Sequence, residues 1–142
     1  EDGTFVYPAS QPGGGNPVLR RQFRILRDFI HGFDFIRLLP DPGAIKTVTP
    51  APYTARALAR RAEAYAIYGS WSPPSDRATG PPAAQTVRLE LDLPAGTYRC
   101  EWVNPKTGDI DKRETLRHTT GPIRLESPPV LEDFALRAVR ER

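Results

Sequence analysis

The chain has 142 residues and a mass of 15.8 kDa, which is the length of one domain. Its formal net charge is +3, and 39% of its residues are hydrophobic and 26% charged, so the composition is that of a globular protein and excludes a low-complexity chain. No apolar run approaches the ~18 residues of a membrane span, and the single cysteine, Cys100, excludes an intrachain disulfide framework.

The first predicted elements are a short strand over residues 4–7 and a helix over residues 17–31, separated by a loop rich in Gly and Pro. Asn16 suits the N-cap of this helix and Pro17 its first position. Apolar side chains recur at spacings of three and four residues and share one face of the helix: Leu19, Phe23, Leu26, Ile30 and Phe33. Because this face is too apolar to be left in water, we expect the helix to fold back on the rest of the chain or to pair with a second copy.

After residue 44 the hydrophobic period changes from that of a helix to that of a strand. Alternating patterns predict strands over 55–61, 63–69, 86–93, 97–103 and 109–118, with two more around Ile123 and Phe134. Short strands joined by hairpin turns are typical of an antiparallel sandwich. The predicted fold class is therefore mainly β: an antiparallel β-sandwich of about seven to eight strands, preceded by one amphipathic α-helix. Its expected core includes Leu89, Leu91, Tyr98, Cys100, Trp102 and Leu136.

Candidate catalytic and metal-binding residues are few. The two histidines, His31 and His118, lie far apart, and no Gly-x-Ser-x-Gly motif is present. The acidic residues of segment 109–114 offer too few oxygen ligands for a cation, and the glycines at 13–15 lack the Lys and Ser/Thr of a phosphate-binding loop. The sequence predicts no catalytic residue, no metal site and no cofactor.

Charge and aromatic residues bear on possible partners. Residues 17–61 carry nine Lys or Arg against three acids, but arginines spread around a helix without interleaved aromatics do not favour nucleic-acid binding. Tyr68 and Trp71 are the candidate carbohydrate-binding residues, because Trp71 is predicted in a Pro/Ser-rich loop where an exposed ring can stack on a sugar. The alternative is that Trp71 covers one end of the core.

Two sequence runs resemble a known family: LDLPAGTY at 91–98, and EWVNPKTG at 101–108 with its Asn-Pro-x-Thr-Gly turn. Together with the closing strand that begins at Asp133, they are similar to the C-terminal β-sandwich that follows the catalytic (β/α)₈ barrel of certain glycoside hydrolases. This sandwich has been catalogued as a collagen-binding domain of collagenase-like proteins. The segment from Leu19 to Pro40 resembles the last helix of such a barrel and its link to the sandwich. Asn104 stands where Asp is common in the family.

The resemblance implies a division into residues 1–44, the end of a barrel with a linker, and residues 45–142, an accessory sandwich. It implies that the partner is the catalytic barrel of the same polypeptide, that the sandwich contacts polysaccharide, and that the longer protein is exported. No methionine occurs, which also suggests a processed product or part of a longer protein. Catalytic carboxylates of such barrels sit at the ends of earlier strands, so none is carried over and this chain alone is not expected to be an enzyme. The alternatives are a stand-alone module that binds carbohydrate or an extracellular protein, and a structural domain of another exported protein.

Overall fold

A computed structural model describes residues 16–73 and 83–141. This part of the chain contains one α-helix and nine β-strands. Helix α1 spans Pro17–Ile30, and two 3₁₀ turns span Phe35–Arg37 and Pro42–Ala44. The strands are β1 (Leu39–Pro40), β2 (Ile45–Thr49), β3 (Tyr53–Arg60), β4 (Ala64–Trp71), β5 (Gln85–Leu91), β6 (Gly96–Val103), β7 (Ile110–His118), β8 (Ile123–Val130) and β9 (Asp133–Arg140). The strand predicted at 4–7 lies outside the described residues.

Helix α1 begins as its sequence predicts. The Asn16 side chain accepts a hydrogen bond from the backbone N–H of Val18 at 2.9 Å, and Pro17 occupies the first turn. The N-cap bond satisfies one of the amides that a helix start leaves without a partner. The helix ends at Ile30, one residue before the predicted end, where the His31 N–H donates to Arg27 O at 2.8 Å.

The strands form two antiparallel sheets. The large sheet has six strands in the order β1-β3-β4-β9-β6-β7, and the small sheet has three in the order β2-β5-β8. Every described strand pair is antiparallel. The predicted fold class, a mainly β antiparallel sandwich, is confirmed.

The core lies between the inner faces of the two sheets. All six residues predicted to be inside are buried, with relative exposures of 0–2%. Aromatic rings fill the centre of the large sheet: Tyr65 meets Tyr98 edge-on at 6.2 Å, and Trp102 lies 5.9 Å from Phe134. The alternation of side chains along β6 places Tyr98, Cys100 and Trp102 on this inner face, which is why period-2 patterning found them.

Four strands differ from the sequence-based expectation. Strands β1 and β2 were not predicted, because β1 has two residues and β2 is short, with a register shift between Ile45 and Thr47. Strand β4 continues to Trp71, which was predicted in a loop: Trp71 pairs with Tyr53, and its N–H donates to Glu132 O at 2.6 Å. Strand β8 runs through Pro128 and Pro129, which it tolerates because it lies at the edge of the small sheet.

The division between residues 44 and 45 stays a prediction. Residues just before it already contact the sandwich: β1 pairs with β3, and Ala44 is fully buried, its carbonyl accepting from the Asp92 N–H at 2.9 Å. Leu38 is also buried, at 8% exposure. A truncation designed to test the division should therefore retain residues from Leu38 onward.

Candidate functional site

The predicted carbohydrate-binding residue Tyr68 lies on the outer face of the large sheet, the face turned away from the small sheet. Its side chain is 51% exposed. The hydroxyl donates to Asp133 Oδ2 at 3.1 Å, across the β4–β9 pair. Burial and the neighbouring Asp133 carboxylate raise the pKa of the phenol, so Tyr68 stays protonated and remains a donor at neutral pH.

The second predicted residue, Trp71, lies at the end of β4 on the inner face. It is half-buried and packs against the core, meeting Tyr53 edge-on at 5.3 Å. Among the described residues it carries the one buried side-chain nitrogen or oxygen without a hydrogen-bond partner, the indole Nε1. Trp71 thus occupies the position that covers one end of the sandwich core.

The structure does not bring Tyr68 and Trp71 together on one surface. They are three residues apart in a regular strand, and successive strand side chains point to opposite faces. One ring therefore faces outward and the other faces the core. A role in carbohydrate binding stays a prediction for each, and a sugar stacked on Tyr68 would not touch Trp71.

The outer face of the large sheet also holds a buried ion cluster. Glu101 is 4% exposed and lies beside Arg137 on β9 and Arg113 on β7. Arg137 Nη2 lies 2.6 Å from Glu101 Oε2, and Arg113 Nε lies 2.9 Å from Oε1. Arg99 Nε is 3.8 Å from Oε1. Each carboxylate oxygen thus has a charged donor, which is the condition for a buried ion to be tolerated.

The protonation of Glu101 follows from competing effects. Burial alone would raise its pKa. The hydrogen bonds from Arg137 and Arg113, with the positive charges of Arg137 and Arg99, outweigh burial and lower the pKa below its usual range. Glu101 is therefore ionised at neutral pH. The cluster carries net positive charge and sits beside the end of α1.

Arg137 connects this cluster to the segment that follows α1. Its guanidinium carbon lies 5.9 Å from the centre of the Phe33 ring, a cation–π contact. Its Nη1 lies so close to Gly32 that a Cβ at that position would come within 1.8 Å of it. A side chain at position 32 would therefore require the Arg137 guanidinium to shift from its present place beside Phe33.

Helix α1 lies on the outer face of the large sheet without burying any residue fully. The Ile25 side chain reaches the β6–β7 turn, where a Cβ on Gly108 would stand 3.3 Å from it. On the other side of the helix, Phe23 is 61% exposed and Leu26 is 52% exposed. Helix α1 thus contacts the sandwich through Ile25, while Phe23 and Leu26 on its apolar face are left open. The expectation that this face is covered, by the sandwich or by a second copy, stays a prediction.

A groove of about 780 Å³ lies beside this open half, and we refer to it as the α1 groove. Its helix wall is formed by Leu26, Phe29 and Ile30. Its floor is the outer face of β3 and β4, and its far wall is the segment between Phe33 and Ile45. Most of the lining is apolar, and the polar groups that reach it come from Arg56 and Tyr68.

The remaining sequence candidates occupy structural positions. Cys100 is buried, and burial together with the nearby Glu114 charge raises its pKa to about 12, so the thiol is unreactive near neutral pH. Asp111 accepts a hydrogen bond from Asn104 Nδ2 at 3.2 Å in the β6–β7 turn. Across residues 16–73 and 83–141, no group of three or more His, Cys, Asp or Glu side chains is placed to hold a metal ion. No helix in that part of the chain is long and apolar enough to cross a membrane.

Sequence reasoning missed Glu101 and Arg137, because both fall in the polar phase of their strands and were read as solvent-facing. A signal was available in their neighbours. In β9 the consecutive apolar residues Phe134, Ala135 and Leu136 place apolar side chains on both faces, a pattern typical of a strand covered on both sides. It indicated that something packs on the outer face of the large sheet.

No known protein family and no curated protein matches the sequence. Among solved structures, one described as a glycoside hydrolase is similar with a TM-score of 0.57 and 18% sequence identity, over 96% of this chain and 30% of that one. A glycoside hydrolase family 5 protein from Bacteroides vulgatus ATCC 8482 has a TM-score of 0.56 and 15% identity, again over 96% of this chain and 30% of that one. At these identities the likeness is one of fold. The chain spans about 30% of the length of the structures it matches.

Proposed function

We propose that this chain is an accessory, non-catalytic β-sandwich portion of a glycoside hydrolase, located after a catalytic (β/α)₈ barrel and packed against it. The observation that carries the proposal is the extent of the structural match, which takes in 96% of this chain but 30% of each glycoside hydrolase. The sequence resemblance at 91–108 points to the same class independently. Residues 1–44 would then be the end of the barrel and its linker.

The open half of α1 supports the packing part of the proposal. A helix in which Phe23 and Leu26 are more than half exposed has apolar surface that a further domain would cover. The proposal extends to polysaccharide contact through Tyr68, the exposed aromatic ring of β4, and to export of the longer protein to where polysaccharides are found. Nothing observed favours collagen as the ligand.

The catalytic part is tested with the purified 142-residue chain. We expect no turnover of polysaccharides or aryl glycosides, because hydrolysis requires a pair of positioned carboxylates and no such pair could be assigned in this sequence. The measurement is release of reducing sugar or of the aryl group over a panel of substrates. Turnover that a single carboxylate substitution abolishes would contradict the accessory role.

Polysaccharide contact is tested by affinity electrophoresis in gels that contain soluble polysaccharides. Where a polysaccharide retards the chain, Tyr68→Ala is expected to weaken binding by about tenfold, the value of one stacked ring. Tyr68→Phe is the matched control: it keeps the ring, loses the hydrogen bond to Asp133, and should bind almost as well. Binding that survives Tyr68→Ala and is lost with Trp71→Ala would move the site to the end of the core. Binding unchanged by both substitutions would contradict the predicted residues.

A further inference from the structure

Tyr68 has a charged neighbour on the outer face of the large sheet. Arg56 on β3 is its direct cross-strand partner, so the Cβ atoms of the two residues lie about 5 Å apart on the same face. Both side chains are exposed, and both line the α1 groove. Within residues 16–73 and 83–141, Arg56 forms no ion pair and no hydrogen bond. Its guanidinium can therefore donate charge-assisted hydrogen bonds to a ligand beside an open aromatic ring.

The ring of Tyr68 is held over the sheet. Its hydroxyl bonds to Asp133, which lies opposite Ser70 in the register and is therefore a diagonal neighbour of Tyr68. The ring must lean toward β9 to make this bond, and its same-face neighbours Ala66 and Ala135 are small. One face of the ring then lies toward the sheet and the other toward solvent, in keeping with its 51% exposure. A sugar ring stacks on an aromatic ring that is presented in this way.

The next row of the sheet adds hydroxyl groups. Thr54 pairs with Ser70 and lies one row beyond Arg56 and Tyr68, toward the end of β4. The Ser72 hydroxyl lies 3.2 Å from Thr54 Oγ1 and 3.3 Å from Ser70 Oγ. A hydroxyl can both donate and accept, which suits the hydroxyl groups of a sugar. This surface thus combines an open ring, a row of hydroxyls and an unpaired cation.

The charges on the two sides of Tyr68 favour one class of sugar. Asp133 lies on the β9 side and already accepts from the Tyr68 hydroxyl, whereas Arg56 lies on the β3 side. A neutral sugar would leave the Arg56 charge without a counter-ion. A sugar carboxylate would pair with the planar guanidinium through two parallel hydrogen bonds. Strands β3 and β9 are two strand spacings apart, about 10 Å, so a carboxylate bound at Arg56 is well separated from that of Asp133.

We propose that Tyr68 and Arg56 form a binding site for a uronate residue of an acidic polysaccharide, with the sugar ring stacked on Tyr68 and its carboxylate paired with Arg56. This inference rests on the proposed function, because it names the class of polysaccharide that the exposed ring would take. The α1 groove, at about 780 Å³, has a volume within the range of small-ligand sites, which leaves room for a sugar residue over the ring. Arg56 is then the residue that determines charge specificity.

The test is affinity electrophoresis of the 142-residue chain in gels that contain polygalacturonate, alginate or methyl-esterified polygalacturonate. Esterification keeps the sugar backbone and removes the carboxylate charge. We expect the two polyuronates to bind at least about tenfold more tightly than the ester, and Arg56→Gln to weaken polyuronate binding by about tenfold, the value of one charge-assisted contact. The same substitution should leave binding of the ester unchanged. Arg56→Lys keeps the charge without the planar fork and should give an intermediate affinity.

Arg117→Gln is the matched control for net charge. Arg117 is exposed on β7, at the far edge of the same face of the sheet, and like Arg56 it has no ion pair in the described part of the chain. Both substitutions lower the net charge by one, so the general attraction of a polyanion to a chain of net charge +3 is the same in the two variants. We expect Arg117→Gln to bind the polyuronates almost as tightly as the parent chain. Dextran sulfate is the control ligand, since its charges are not carboxylates.

The outcomes separate this inference from the proposed function. Retardation by neutral polysaccharides that Tyr68→Ala weakens and Arg56→Gln does not would overturn the uronate site and leave polysaccharide contact through Tyr68 standing. An equal loss of polyuronate binding in Arg56→Gln and Arg117→Gln would overturn the uronate site alone. So would dextran sulfate that binds as tightly as the polyuronates and is equally sensitive to Arg56→Gln. Retardation by no polysaccharide, acidic or neutral, would overturn both the uronate site and the proposed polysaccharide contact.

Discussion

Replacing Trp102 with alanine is expected to lower the free energy of unfolding by about 3–5 kcal/mol, the range for an aromatic ring removed from a packed core. The ring is 2% exposed and lies 5.9 Å from Phe134. Its Nε1 donates to Glu114 Oε1 at 3.0 Å, so the substitution also leaves a part-buried carboxylate without this donor. The measurement is urea denaturation followed by far-UV circular dichroism. The dependence of the unfolding free energy on urea concentration should be the same for both proteins, which shows that the substitution has not changed the unfolded state.

Trp71→Ala is the matched control for this experiment. Trp71 is half-buried at the end of the core, and its Nε1 has no hydrogen-bond partner among the described residues. Trp71→Ala should therefore lower the free energy of unfolding by less than Trp102→Ala does. A loss below about 1 kcal/mol for Trp102→Ala would contradict a core position for this ring.

Replacing Glu101 with alanine is expected to reduce the free energy of unfolding by about 3 kcal/mol, because it leaves a largely buried arginine without its counter-ion. That arginine is Arg137, whose side chain is 17% exposed and bonds to Glu101 at 2.6 Å. Glu126→Ala is the matched control, since Glu126 pairs with Arg88 and both side chains are more than half exposed. Removal of an exposed pair changes stability by about 0–1 kcal/mol.

Glu101 also predicts the direction of an acid effect. Its pKa is lowered in the folded chain, so the stability it contributes is fully present above the unfolded-state value of about 4.3 and is lost as the pH falls through the lower folded value. Thermal melts of the parent and of Glu101→Ala should converge as the pH is lowered below 4.3, about the unfolded-state pKa of a glutamate. A constant difference between their melting temperatures from neutral to acid pH would contradict the charged assignment.

The sandwich was predictable because apolar and polar side chains alternate along its core strands. Tyr98, Cys100 and Trp102 fall in one phase of β6, and the phase alone identifies them as buried. The outer face was not predictable in the same way. Glu101 and Arg137 occupy the phase that normally faces water, and their burial depends on the long-range pairing of β6 with β9 and on α1 lying above them. The apolar residues of β9 indicate that its outer face is covered, but local patterning does not show which residues cover it.

The candidate site, like the sandwich, was predictable from local sequence pattern only in part. The amphipathic pattern of α1 predicted that this helix needs a partner, but it could not show that Ile25 would reach the sandwich while Leu26 stayed open. Tyr68 and Trp71 were grouped because they are near in sequence. Extension of β4 to Trp71 reverses that grouping, since the odd spacing sends the two rings to opposite faces.

The polar strand β7 forms one outer edge of the large sheet, and its character bears on how the chain behaves at high concentration. An edge strand offers unpaired backbone groups to other molecules, and charged side chains are the usual protection against such pairing. β7 carries charges of both signs along nine residues, including Lys112, Arg113 and Arg117. Strand addition between molecules is therefore disfavoured at this edge, so concentrating the chain should not extend the large sheet through β7.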